Sequence, residues 1–186
     1  SPVGMLANGK LHLDDTGHLP LDPLAKDPDQ EFAAVNGNWW IGLSAMHTLF
    51  TREHNAIVDR LAIDYPGKGG EWLFQKARLI NAALIIKIHA TEWTPALLQN
   101  PRLQYAMRAS WWGILGEDYF KAFGRPRRNE LLAGIPSSPQ EHYAAPYAMT
   151  EEFTAVYRLH SLIPDDLSFR RHADDHETLA CAFTDS

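Results

Sequence analysis

Residues 71–93, EWLFQKARLINAALIIKIHATEW, limit the possible fold more than any other stretch. Their apolar positions keep a helical spacing, and between Leu79 and Ile88 they occupy almost the whole circumference. The pattern predicts a helix covered on more than one side. The longest uninterrupted apolar run, residues 82–86, stops at Lys87 and is far too short to cross a bilayer. The cover must therefore be protein.

Other helices are predicted to supply it. From Trp39 or Trp40 to Asp64, the residues Leu43, Met46, Phe50, Ile57 and Leu61 recur at roughly helical spacing, and YPGKGG at 65–70 ends the run. Pro95 biases Thr94 away from helical angles, so the helix at 71–93 is expected to stop there. A shorter helical piece at 102–124 precedes a Pro/Gly/Ser loop at 125–146, and the basic run GRPRRNE at 124–130 is expected to be solvated. A last helix is signalled by Thr150 as its cap and by Glu151 and Glu152 at the positive end of its dipole. Pro164 closes it. Residues 1–38, rich in Gly, Pro and Asp, show no sustained period and should wrap a surface or stay mobile. With no alternating strand pattern in view, the expected class is mainly α. It comprises an irregular segment at 1–38 and, at 39–186, an incomplete helical domain of two long packed helices with the last laid across them.

Composition narrows the function. Among 186 residues, 45% are hydrophobic, with six Trp, six Tyr and eight Phe, enough for a real core and too many for a disordered chain. A net charge of −6 leaves no basic face to displace counterions from phosphates, so nucleic acid is not an expected partner. Cys181 is the only cysteine, which excludes an internal disulfide or a cysteine metal cage. The chain carries neither a signal-peptide pattern nor a spanning segment, which gives an expected location in the cytoplasm or at a membrane surface. It opens on Ser1 and is expected to be a piece of a longer protein.

Four groups of residues can carry chemistry. In MTEEFTAVYRLHSLIPDD at 149–166, Phe153, Val156, Tyr157 and His160 share one helix face, so a phenol and an imidazole project side by side about one turn apart. A neutral imidazole can hold a haem iron and a nearby tyrosine can become a radical; equally, both are ordinary packing residues. In KIHATEWT at 87–94, His89 and Thr94 can both donate to a carboxylate. On one continuous α-helix, residues five apart point to different sides, so they can share a ligand only if the helix ends between them. In TREHN at 51–55 a buried polar knot tying helices together is expected, because buried charges need partners and no HExxH zinc pattern is present. His172 and His176 stand four apart in an acidic stretch that reads as a solvated tail.

Taken in order, MHTLFTREHN, KARLINAALIIKIHATEWT and EEFTAVYRLHSLIPD resemble the peroxidase/cyclooxygenase superfamily of haem proteins, continuously from about Trp40 to Phe169. The resemblance points in particular to fatty-acid α-dioxygenases. It implies that His160 is the axial ligand of a haem b iron and Tyr157 the radical-forming catalytic residue. It also implies that His89 and Thr94 anchor a fatty-acid carboxylate, with O2 inserted at the adjacent carbon. The region AAVNGNWW lacks the arginine and haem-linking glutamate of dedicated peroxidases, which argues against halide oxidation. The family's distal histidine and a further carboxylate-binding arginine fall outside this chain. Two other readings remain open: a haem peroxidase that oxidises small reductants with H2O2, and a non-catalytic helical scaffold. Contact with a membrane would come through parts not present.

Overall fold

The structure, a computed structural model, describes residues 4–33, 39–126, 129–139, 141, 144, 151–156, 166–170 and 177–181. The chain forms two compact units, Ser1–Ser138 and Pro139–Ser186. Most of the described residues are helical, as the sequence predicts.

In the first unit, α1 (Ile41–Asp64) and α2 (Gly70–Ile88) form a helical hairpin. A Pro/Gly turn separates them, with the Tyr65 N–H closing α1 on the Leu61 carbonyl. Val58 of α1 packs with Leu73 and Ala77 of α2, and Ile57, Leu61 and Trp72 flank this core. Further along, Asn81 Nδ2 donates to the Phe50 carbonyl at 2.9 Å. The contacts climb α2 as they descend α1, so the two helices run antiparallel. Burial of α2 is one-sided, contrary to the expectation from its all-round apolar pattern. Leu73, Phe74 and Ala77 are buried, whereas Leu79, Ile80, Ile85 and Ile86 are exposed. Met46, assigned to the apolar stripe of α1, is exposed as well.

The irregular N-terminal segment does wrap. Antiparallel bridges join Met5 to Leu11 and Leu21 to Glu31, and Asp14 closes a turn by accepting from the Thr16 and His18 amides. Gly9, at φ +88°, lies so close to the Gly70 carbonyl at the start of α2 that no side chain fits there. The TREHN knot is real: its polar groups tie this wrap to α1, while the His54 ring packs on Phe74 of α2. The buried His54 donates through Nε2 to the Gly9 carbonyl at 3.1 Å, and its ring lies 5.2 Å from that of Phe74. Asn55 takes both backbone groups of Leu11, accepting from its N–H at 2.7 Å and donating to its carbonyl at 2.9 Å. Lys10 pairs with Asp59 at 2.7 Å.

The segment expected as one helix at 102–124 is two, α4 (Pro101–Trp112) and α5 (Gly116–Phe123). Asn100 caps α4 by accepting from the Arg102 and Leu103 amides. Gly113, at φ +64°, breaks it where the backbone of Leu132 approaches too closely for a Cβ. α6 (Glu130–Ala133) and a 3-10 turn (Ile135–Ser137) follow. The basic run is not simply solvated. Arg125 donates to the carbonyls of Trp111 and Ala133 and lies over the rings of Trp112 and Phe120 at 5.0 and 4.8 Å. Burial lowers its pKa from the usual arginine range. The basic pattern concealed a clamp, because a guanidinium can satisfy carbonyls and stack on aromatic faces at once.

In the second unit, α7 (Glu151–Val156) starts at the two predicted acidic residues. Thr150, Tyr157 and His160 lie outside the described residues. The absence of strands expected from the sequence is corrected by an antiparallel pair, β1 (Asp166–Arg170) and β2 (Glu177–Cys181), in register Asp166 to Cys181 through Arg170 to Glu177. The polar–apolar alternation of DLSFR is the signal that was missed. His172 and His176 fall between the strands, outside the described residues.

Candidate functional site

His89 and Thr94 belong to the first unit, where α2 does not stop. After Ile88 the helix continues as a π-turn (His89–Trp93) and then as α3 (Thr94–Leu97). Thr94 keeps helical angles, φ −62° and ψ −44°, despite the proline after it, so the expected break at Thr94 is corrected. Its N–H bonds to the carbonyl of His89, five residues back, in place of the four-residue reach of an α-helix.

This widened turn changes which side chains are neighbours. Residues joined by one backbone bond along a helix stack on one face. In an α-helix they are four apart; here they are five apart, and they are His89 and Thr94. The two candidate ligand-binding residues therefore share a face without the helix ending between them.

Local contacts hold the turn. Thr91 Oγ1 donates to the Lys87 carbonyl at 2.8 Å. Gln104 Nε2 of α4 donates to the Pro95 carbonyl at 3.4 Å, and Pro95 is buried. The His89 ring is stacked on the Trp93 indole at 5.2 Å and 28°. These roles of Thr91, Trp93 and Pro95 were not read from the sequence, although Pro95 inside a continuing apolar pattern was the available clue.

Thr94 is half-buried and His89 is exposed. Four buried side-chain atoms among the described residues have no hydrogen-bond partner: Gln30 Nε2, Trp39 Nε1, Asn81 Oδ1 and Thr94 Oγ1. Only the last lies at the π-turn. A buried hydroxyl without a partner carries a desolvation penalty of about 1–3 kcal/mol that a ligand acceptor would remove. Around the pair the surface carries several apolar side chains beside the exposed Glu92. Ile85 and Ile86, one helical turn before His89, are exposed, as are Trp93, Leu97 and Leu98. The arrangement sets an exposed imidazole one π-turn from a buried, unpartnered hydroxyl, beside exposed apolar side chains, which suits an amphiphile whose anionic head reaches in to the hydroxyl.

Among the described residues, no three His, Cys, Asp or Glu side chains are grouped to hold a metal ion, and no helix is long and apolar enough to cross a membrane. Tyr157 and His160, the other expected site residues, lie outside the described residues.

Comparison with known proteins places this geometry in context. The chain is 40% identical over 171 residues to alpha-dioxygenase PIOX of Nicotiana tabacum, an alignment covering 90% of this chain and 26% of that protein. The crystal structure of fatty acid alpha-dioxygenase from Arabidopsis thaliana superposes with a TM-score of 0.76 at 36% identity, over 94% of this chain and 28% of that one. A tyrosine-to-phenylalanine variant of the Oryza sativa fatty acid alpha-dioxygenase, crystallised with palmitic acid, gives 0.75 at 34% identity, over 94% of this chain and 29% of that one. The chain thus spans about a quarter of the length of the curated relatives it matches. The family model for animal haem peroxidase matches residues 4–185, nearly the entire chain, and the chain belongs to that family.

Proposed function

We propose that the protein containing this chain is a haem-dependent fatty-acid α-dioxygenase, and that His89 and Thr94 bind the substrate carboxylate. The observation that carries the reading is the buried, unpartnered Thr94 hydroxyl, one π-turn from the exposed His89. A carboxylate accepts from both donors, while the acyl chain covers apolar side chains that water otherwise meets. The similarity to fatty-acid α-dioxygenases, one of them holding palmitic acid, supports the same substrate class.

His160 offers an imidazole, whose ring nitrogen would hold the iron of a haem b. Bound there, the cofactor supplies one-electron oxidising power. The remaining tasks belong to the chain. As a tyrosyl radical, Tyr157 takes a hydrogen atom from the carbon next to the carboxylate. O2 adds to that carbon, and the Tyr157 phenol returns the hydrogen atom to the peroxyl group, giving a 2-hydroperoxy acid and restoring the radical. The task of His89 and Thr94 is to fix the substrate head group, which limits the reaction to one carbon.

In the full-length, haem-loaded protein, Tyr157→Phe is expected to abolish oxygen uptake with palmitate while peroxide-driven oxidation of a small phenol persists. Unimpaired uptake would sink the reading in favour of a peroxidase. His160→Ala is expected to remove the Soret band of the haem complex.

A further inference from the structure

Pro95 is the second residue of α3, a position that a freshly started helix tolerates, but here the chain enters α3 from an unbroken helical run. In a regular helix, proline leaves the carbonyl four residues back without its donor and drives its ring into that same carbonyl, here that of Thr91. Yet Trp93 (φ −66°, ψ −53°) and Thr94 (φ −62°, ψ −44°) before it are both helical, and the Leu98 N–H bonds to the Thr94 carbonyl as α-geometry resumes. The π-turn resolves the conflict. One extra residue in the turn carries the Thr91 carbonyl off the path of the proline ring, and no N–H is required of residue 95.

The consequence for the site is geometric. In an uninterrupted α-helix, His89 and Thr94 would be about 140° apart around the axis. In the π-turn they are successive members of one bonded row. We propose that Pro95 is a positioning residue of the carboxylate clamp: by making α-geometry unfavourable at 91–95, it selects the wider turn that puts His89 and Thr94 on one face. This rests on the reading of His89 and Thr94 given above. Pro95 touches no substrate; it acts through the backbone. The Gln104 contact holds its carbonyl toward α4, and the Thr91 hydroxyl anchors the turn on Lys87.

The test uses the full-length protein, titrated with palmitate and with the saturated alcohol of the same chain length. Pro95→Ala restores an N–H and relieves the ring clash, so the turn is free to close as α. Palmitate affinity is expected to fall about tenfold, the size of one lost hydrogen bond to a charged group, with affinity for the alcohol unchanged. Removing Ala90 in the Pro95→Ala background leaves His89 and Thr94 four positions apart, the α-helical spacing for a shared face, and is expected to restore palmitate binding. Wild-type palmitate affinity in a folded Pro95→Ala protein would overturn the proposal. So would a crystal structure of that variant keeping the bond from the Thr94 N–H to the His89 carbonyl, or a folded deletion variant that still binds weakly. Thr94→Val separates the two layers. If it leaves palmitate affinity unchanged, the clamp reading falls and the proposal with it. If it weakens binding where Pro95→Ala does not, the clamp stands and only the role of the proline is refuted.

Discussion

Two histidines on the long helical hairpin show what distinguishes an architectural polar residue from one available to a ligand. His54, at 2% exposure, donates to the Gly9 carbonyl, touches Phe74 and sits beside Asn55, whose amide satisfies both backbone groups of Leu11. His89 is exposed, stacked on one indole, and neighbours a buried hydroxyl with no partner. Both lie on apolar helices, and sequence context separates them poorly. Hydrogen-bond bookkeeping separates them well: around His54 each named polar group is matched, so removing one harms the fold, whereas at the π-turn a donor is left over.

That contrast can be broken by experiment on the full-length protein. The largest effect on stability is expected from His54→Ala, which opens a buried space and strands the Gly9 carbonyl, lowering unfolding free energy by about 3 kcal/mol. Chemical denaturation would measure it, and palmitate affinity in the folded fraction should not change. Weakened binding without loss of stability would place His54 with the site instead. Thr94→Val should do the reverse, lowering palmitate affinity about tenfold while leaving stability equal or raised by up to about 1 kcal/mol, because an unmatched hydroxyl is replaced by a methyl of similar shape. A clear loss of stability would show that Thr94 has a structural partner.

The smallest effect concerns the wrap itself. Hydrogen bonds from the Thr16 side chain and then the His18 amide hold the Asp14 carboxyl below the usual carboxylate pKa. A pKa depressed by folding stabilises the turn above the unfolded value, and that contribution is lost as pH falls through the lower folded value. The Asp14 carboxyl carbon shift, followed by NMR, should therefore titrate at pH below the normal aspartate range. A midpoint at or above that range would show the turn to be unformed in solution.

Much of the helical frame was legible locally. The period and the YPGKGG break gave α1 to within a residue or two, since both ends are set by short-range signals. Glu151 and Glu152 marked the start of α7 for the same reason. The misreadings came where a residue had a distant partner. Arg125 looked like solvent-facing charge until Trp111, Ala133 and two rings gathered around it. The N-terminal segment had no period of its own because its order is supplied by His54 and Asn55, more than forty positions away.

By itself the sequence determined that the chain is helical, which histidine and threonine are candidates for a carboxylate, and which tyrosine and histidine at 157 and 160 are candidates for haem chemistry. Only the tertiary structure decided whether Pro95 ends α2 or widens it. A proline disfavours the regular α-turn before it but leaves two outcomes, a stop or a π-turn. The choice falls to contacts from elsewhere in the fold, here the support of Pro95 by α4 through Gln104. That choice sets which side chains neighbour His89 along the helix, Thr94 among them.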